Sequence, residues 1–297
     1  MNIIEVENLT KTYGDLTAVD HISFTVEQGT LLGFLGINGA GKSTAINMLS
    51  TLLRPDGGTA SLCGHRLGRE DDAIRRKIGI VYQQNCLDDL LSVKENLLCR
   101  GILHGATRAQ ANAQLSRLSQ ILKLGDILKK QYKTLSGGQK RRCEIAAALM
   151  HTPEILFLDE PTTGLDPATR KDVWQIIEVL RKEEKTTVFL TTHYMEEAAA
   201  ADTIIILDHG KIVTSGTPFT LKEQFARDKL RLFGDPQTIG LPGTITPYGV
   251  ELTINSTLDA LPIVERVADR IDGFEVIQGN MDDVFLNAVG YALNQEV

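Results

Sequence analysis

The stretch Gly36-Ile37-Asn38-Gly39-Ala40-Gly41-Lys42-Ser43-Thr44 has the residue types and spacing that phosphate chemistry needs. It follows a short apolar run, Leu31 to Leu35, that reads as a buried strand. It precedes Ala45 to Leu53, where Ile46, Leu49, Leu52 and Leu53 recur at helical spacing. Glycines let the backbone curl so that successive N–H groups point inward, and the helix N-terminus adds partial positive charge. Lys42 supplies an ammonium for the outer phosphates, and Ser43 a hydroxyl for Mg2+. The stretch predicts a nucleoside-triphosphate site.

Two further clusters could act on a phosphate held there. Ile155 to Leu158 is an apolar run that ends in Asp159-Glu160, a strand delivering two acids where open α/β sheets place ligand groups. Asp159 suits Mg2+, directly or through water, and Glu160 suits a general base on the attacking water. The run Thr186 to Thr191 predicts another inner strand, presenting His193 within reach of a γ-phosphate. Ser136-Gly137-Gly138-Gln139 reads equally, by itself, as a capping box after a turn or as a second anion site. The neighbouring phosphate loop and paired acids favour the second reading. Tyr13, in a loop between two alternating segments, is placed to stack on a base.

The elements that must position these groups can be read in outline. Ile4 to Glu7 and Ile22 to Val26 alternate like half-buried strands, and Thr59 to Cys63 and Ile78 to Tyr82 are further strands. After Gln83-Gln84 the texture turns helical: Ser92 and Glu95 form a capping box, and Thr107 to Leu124 carries Leu115, Leu118, Ile121 and Leu122 on one face. This predicts a helical subdomain over about residues 87–149. Gly164 to Pro167 turns the chain into a helix from Ala168 to Lys182, and Thr217-Pro218 starts another. Beyond Leu230 the pattern becomes a small α+β appendage, with an amphipathic segment at Leu258 to Ile271 and a short helix from Met281 to Val289. The expected architecture is an α/β P-loop NTPase core, a mixed sheet with flanking helices, over residues 1–228. A small accessory domain is expected over 229–297.

Composition narrows the function classes. The 297 residues carry a net charge of −7 and give no broad basic face, which argues against nucleic acid. Arg75-Arg76-Lys77 and Lys140-Arg141-Arg142 read as solvated faces. Four cysteines without a Cys-x-x-Cys pair suggest neither zinc nor a disulfide framework, and fit a reduced, cytosolic compartment. The N-terminal stretch lacks the apolar core of a signal peptide, and no apolar run is long enough to span a bilayer. No Asn-Lys-x-Asp guanine motif accompanies the phosphate loop.

Taken together, the motifs from Ile3 to about Ala226 resemble the ATP-binding cassette (ABC) transporter ATPases. In that resemblance Tyr13 matches the adenine-stacking aromatic, Gly36 to Thr44 the Walker A loop and Gln83 the Q-loop glutamine. Leu135 to Gln139 match the signature, Asp159 and Glu160 the Walker B acid and catalytic glutamate, Asp166 the D-loop and His193 the switch histidine. Arg141 to Ala146, Asp166 to Trp174 and Met281 to Leu286 look like the bacterial drug and lipid exporter branch, although Met281-Asp282-Asp283 stands where that branch usually has Leu-Glu-Asp. The resemblance implies ATP and Mg2+ as ligands, with Gln83 joining Ser43 and Asp159 at the metal. It implies a head-to-tail dimer, expected to be a homodimer, in which one copy's Ser136 to Gln139 covers the ATP of the other. It also implies a separate membrane-spanning permease, with this chain on the inner face of the cell membrane. An importer subunit and a soluble cassette ATPase are the alternatives; the latter would need a coiled-coil insertion or a second cassette. The loop Gln84 to Leu91 is expected to meet the permease through Cys86, Leu87, Leu90 and Leu91; the alternative, for Leu90 and Leu91 above all, is packing onto the helices of the subdomain.

Overall fold

The two alternating N-terminal segments are longer than the pattern shows and pair with each other. In the computed structural model, which describes residues 1–295, β1 (Asn2–Tyr13) and β2 (Leu16–Glu27) form an antiparallel ribbon. The apolar run that follows is β3 (Leu31–Leu35), buried on both faces, and it leads through the glycine loop into α1 (Lys42–Leu49). This helix starts and stops earlier than Ala45 to Leu53. Lys42, Ser43 and Thr44 form its first turn, and the left-handed Thr51 (φ 67°) breaks it, leaving Leu52 exposed. Next come β4 (Gly57–Leu62), β5 (His65–Arg66), α2 (Asp71–Lys77) and β6 (Ile78–Val81).

The helical stretch contains α3 (Val93–Leu103), α4 (Arg108–Ile121) and α5 (Gly137–Leu149). Each begins at a capping box: Ser92 with Glu95, Thr107 with Gln110, and Ser136 with Gln139. Then follow β7 (Ile155–Asp159), α6 (Pro167–Glu184), β8 (Thr187–Thr192), α7 (Met195–Ala198), β9 (Thr203–Asp208) and β10 (Lys211–Gly216).

These strands form two sheets, ordered β2-β1-β4-β5 and β10-β9-β3-β8-β7-β6. In the second, β3 runs parallel to β8 and β9, and β7 parallel to β6 and β8. Between the sheets lies one core, in which Ile46 and Leu49 of α1 join Ile4, Leu9 and Ile22 with Phe34, Phe157 and Phe189. The rings of Phe34 and Phe157 sit 5.1 Å and 5.2 Å from that of Phe189, at the tilted geometry aromatic pairs prefer. Parallel strands buried on both faces need continuous apolar runs; β3 and β7 supply them, and β8 carries Val188-Phe189-Leu190 at its centre. Their carboxyl ends therefore emerge side by side, with Asp159 opposite Thr191 and Leu35 opposite Thr192.

Chain contacts divide the molecule into Met1–Thr214 and the residues from Ser215 onward. The second unit holds α8 (Pro218–Phe225), β11 (Asp228–Phe233), α9 (Pro236–Ile239), β12 (Thr244–Thr246), β13 (Gly249–Ile254), α10 (Ala260–Val267), β14 (Gly273–Ile277) and α11 (Met281–Gln295). Its sheet, ordered β12-β13-β11-β14, buries Leu230, Leu232 and Val250 against Ile239, Ala260 and Val267. The amphipathic segment at Leu258 to Ile271 yields only the short α10, which begins so that Pro262 falls in the first turn, where its missing N–H costs nothing. Met281, Val284, Phe285 and Ala288 form the buried side of α11, which packs on α8, and Asn287 Nδ2 donates to the Phe225 carbonyl at 2.7 Å. No helix among the described residues is long and apolar enough to cross a membrane.

Candidate active site

Where the ends of β3, β7 and β8 meet, the surface opens into a cleft of about 550 Å3. Its lining takes Asn38, Gly39, Gly41, Lys42, Ser43 and Thr44 from the glycine loop, Gln83 from the end of β6, Glu160 from β7, His193 from β8 and Tyr13 from β1. Five stretches separated along the chain thus converge, four of them because the parallel strands β3, β6, β7 and β8 deliver their ends to one edge. Gly36 and Ala40 lie buried behind the loop, whereas the side chain of Ile37 is exposed. Gly41 caps α1 in a left-handed conformation (φ 103°), and a Cβ there would stand 2.3 Å from the Ala18 carbonyl oxygen, so only glycine fits.

Lys42 is folded over this loop, donating from Nζ to the carbonyls of Gly36 at 2.7 Å and Ile37 at 3.1 Å. Burial pushes its ammonium below the ordinary lysine value, against the opposing pull of Glu160 and then Asp159. The two carboxylates are held differently. Asp159 is buried and accepts from Thr191 Oγ1 at 2.6 Å; burial raises its pKa, with the Thr191 hydrogen bond opposing. Glu160 sits at the mouth in a left-handed conformation (φ 45°), which costs a non-glycine residue about 1–2 kcal/mol. Its N–H is pinned by both the carbonyl and Oγ1 of Thr191, each at 3.1 Å. Strain held this way is characteristic of a group that must point in one direction.

Glu160 Oε2 is the focus of the cleft. Gln83 Nε2 donates to it at 3.3 Å and Thr163 Oγ1 at 3.1 Å. The buried Nδ1 of His193 lies 3.3 Å away but off the hydrogen-bonding direction, leaving that nitrogen without a protein partner. Below them Glu197, also buried, accepts from the hydroxyls of Thr162 and Thr192 and so ties the segment after Glu160 to the one before His193. The arrangement can bind an anion at the loop and α1, take a proton from water at Glu160, and offer amide and imidazole groups to whatever lies between.

The oxygen donors fit a hard divalent cation: the exposed Ser43 hydroxyl, the exposed Gln83 amide oxygen and the Asp159 carboxylate. No group of three or more His, Cys, Asp or Glu among the described residues could hold a metal by itself. A cation here would therefore share nucleotide oxygens and waters, as Mg2+ does.

Tyr13 ends β1 and remains half-exposed at the cleft, with Lys11 Nζ 5.6 Å from its ring centroid. Ser136, Gly137, Gly138, Gln139 and Asp166 are not among the residues lining this cleft. Ser136 caps α5 by accepting from the Gln139 N–H, and Asp166 caps α6 by accepting from the Thr169 N–H at 3.0 Å.

Two expectations are overturned. Leu87 is buried, its N–H bonded to Glu144 at 3.1 Å, so it packs within the helical region; Leu90 is the exposed apolar residue of that loop. Arg141 is no solvated charge but a buried guanidinium. It shares a helical face with Glu144, Ile145 and Ala148, all buried, and that spacing was available in the sequence as a signal. Thr163, Thr191 and Glu197 also escaped sequence reading, because short hydroxyls and a lone acid carry no local pattern.

Comparison with known proteins follows the same outline. Residues 19–163 match the family described as ABC transporter. The chain is 40% identical to the daunorubicin/doxorubicin resistance ATP-binding protein of Streptomyces peucetius, covering 97% of this chain and 92% of that one. It is 36% identical to the Nod factor export ATP-binding protein I of Paraburkholderia xenovorans (strain LB400), over 97% of each chain. Its fold matches a dimeric ATP-binding cassette in a post-hydrolysis state bound to ADP and Pi. That match has a TM-score of 0.66 and 30% identity, covering 72% of this chain and 98% of that one.

Proposed function

Because the chain belongs to the ABC transporter family, we propose that its cleft binds Mg2+ and ATP and hydrolyses the ATP to power export through a separate membrane permease. The cargo is drug-like, lipid or of another class chosen by that permease. The relatives named for drug resistance and Nod factor export support the direction of transport. The observation that carries the catalytic reading is that Lys42 and Glu160 open onto one cleft.

In this reading the loop Gly36 to Thr44 wraps the phosphates, Lys42 turns from its loop carbonyls to the outer phosphate, and Tyr13 stacks on the base. Ser43, Gln83 and Asp159 would hold Mg2+, which when bound would neutralise charge on the phosphates. Glu160 takes the proton of the attacking water; Gln83 and His193, now beside its Oε2, orient water and γ-phosphate. The signature residues Ser136 to Gln139, with Asp166, lie off the chain's own cleft. They serve the nucleotide of a second copy, closing a head-to-tail dimer whose glue is the shared phosphate charge.

Residues 1–228 form the nucleotide-binding domain, with the helical subdomain at about 87–149. Residues 229–297 form an accessory domain that regulates or supports dimer assembly. The chain works on the inner membrane face, where Leu90 and the exposed Cys86 are available to the permease.

Steady-state ATPase and nucleotide-affinity measurements on Glu160→Gln test this. Affinity should persist while kcat falls by on the order of 10²-fold or more. With Mg2+ and ATP the same variant should shift toward a dimer in light scattering, and adding Ser136→Arg should abolish the shift. Near-normal turnover in Glu160→Gln would sink the catalytic assignment.

A further inference from the structure

Arg141 is buried on the inner side of α5, and its guanidinium is spent on backbone carbonyls. Nη1 donates to Tyr82 at 2.5 Å, Nε to Pro161 at 2.5 Å and Nη2 to Asp159 at 3.2 Å. Tyr82 precedes Gln83, Asp159 bears the metal carboxylate, and Pro161 follows Glu160. One side chain therefore gathers the ends of β6 and β7 and fastens both to the helix that begins at Ser136. Burial pulls the guanidinium down to about 10. Such a cation is costly to bury and stays only where its donors are satisfied.

The same helix is fastened twice more. One turn on, Glu144 Oε1 accepts from the N–H groups of Cys86 (2.9 Å) and Leu87 (3.1 Å) and from the Tyr132 hydroxyl (2.6 Å), securing the loop after Gln83. At its start, Gly138 packs against Thr169, which is clasped by Asp166. α5 is thus tied at several points to the strand ends that carry the acids of its own cleft.

We infer that Arg141 is a positioning residue that holds the acid-bearing strand ends, and with them Glu160, in place against the signature helix. This rests on the reading of Glu160 as the base and of Ser136 to Gln139 as the second-copy contact. The phosphate loop hangs from β3, and Arg141 bonds to none of it. Loss of Arg141 should consequently spoil turnover and leave ATP binding in place.

The test compares Arg141→Met and Arg141→Lys with Leu118→Ala, a core truncation in α4 remote from the cleft, and with Glu160→Gln. kcat, affinity for ATP and Tm are measured on the full chain below every Tm. Arg141→Met should lower kcat by on the order of 10²-fold, the penalty for misplacing reacting groups by about 1 Å, with ATP affinity within a few-fold of the parent. Arg141→Lys keeps the charge but cannot span three carbonyls, and should recover part of the loss. Leu118→Ala should lower Tm while keeping kcat. If Arg141→Met does not fold, the lysine variant is judged by the same numbers. The inference is overturned if kcat in the Arg141 variants falls only as it does in Leu118→Ala, or if ATP affinity falls in parallel with kcat. Normal turnover in Glu160→Gln would instead overturn the reading of the site.

Discussion

Replacing Gly138 by alanine puts two magnitudes in opposition. Alanine gains about 0.5–1 kcal/mol over glycine in a helix. At this position its Cβ would stand 2.3 Å from Thr169 Cγ2, more than about 1 Å inside the carbon–carbon optimum of about 3.5 Å. Thr169 cannot simply turn away, because its Oγ1 donates to Asp166 Oδ2 at 2.6 Å and its N–H to Oδ1 at 3.0 Å. Either that clasp opens or the start of α5 shifts, at an overpacking cost of about 1–3 kcal/mol. The clash outweighs the gain, by up to about 2.5 kcal/mol net, which lowers Tm by up to roughly 10 °C for a unit of this size. Displacing the signature helix should also cut kcat by about 10-fold or more. Thr169→Ser is the rescue: with Cγ2 gone the nearest atoms are Oγ1 at 3.3 Å and Cβ at 3.4 Å, and the hydroxyl that bonds Asp166 remains. A double-mutant cycle in thermal unfolding and ATPase activity should return most of both losses in Gly138→Ala/Thr169→Ser. If the double variant is no better than Gly138→Ala, the Thr169 contact is not the reason glycine is required there.

Two further outcomes are expected. In the proposed role Lys42 contacts phosphate in the ground state as well as later, so Lys42→Ala should lower ATP affinity itself by about 10–100-fold in an equilibrium binding assay; unchanged affinity would contradict the role. His151, stacked on His104 with ring centroids 3.9 Å apart, is pushed down to about 4 by burial and then by His104. A histidine with a depressed folded-state pKa favours the fold while neutral. Its contribution is complete above the ordinary value of 6.5 and is lost as pH falls from there through about 4. The loss should reach about 2 kcal/mol by about pH 5. Tm should therefore drop less between about pH 7.5 and about pH 5 in His151→Gln than in the parent, and equal drops would refute the argument.

The chain by itself determined those features whose cause is local. A glycine loop between an apolar strand and a helix, an apolar run ending in Asp159-Glu160, and a Ser136-to-Gln139 capping box each contain the reason for their geometry within a few residues. The structure places the two strands and the Ser136 cap where those patterns put them, while α1 begins inside the glycine loop, at Lys42. The ends of helices were less legible, because α1 stops at a left-handed threonine and α10 is cut short by context. Long-range partnership was not legible at all. Whether Leu87 or Leu90 faces outward depends on a hydrogen bond to Glu144, more than fifty residues away along the chain. Whether Arg141 is a surface charge or a buried clasp depends on three carbonyls from β6 and β7. Those carbonyls become neighbours only when parallel strands lie in register and bring their ends to one edge. The Thr191 hydroxyl gains meaning the same way, from the Asp159 carboxylate that sheet register sets against it. Spacing along the chain fixes which chemistry is possible; the tertiary fold decides which buried polar groups hold that chemistry in place, because burial makes each one require a partner that only folding can supply.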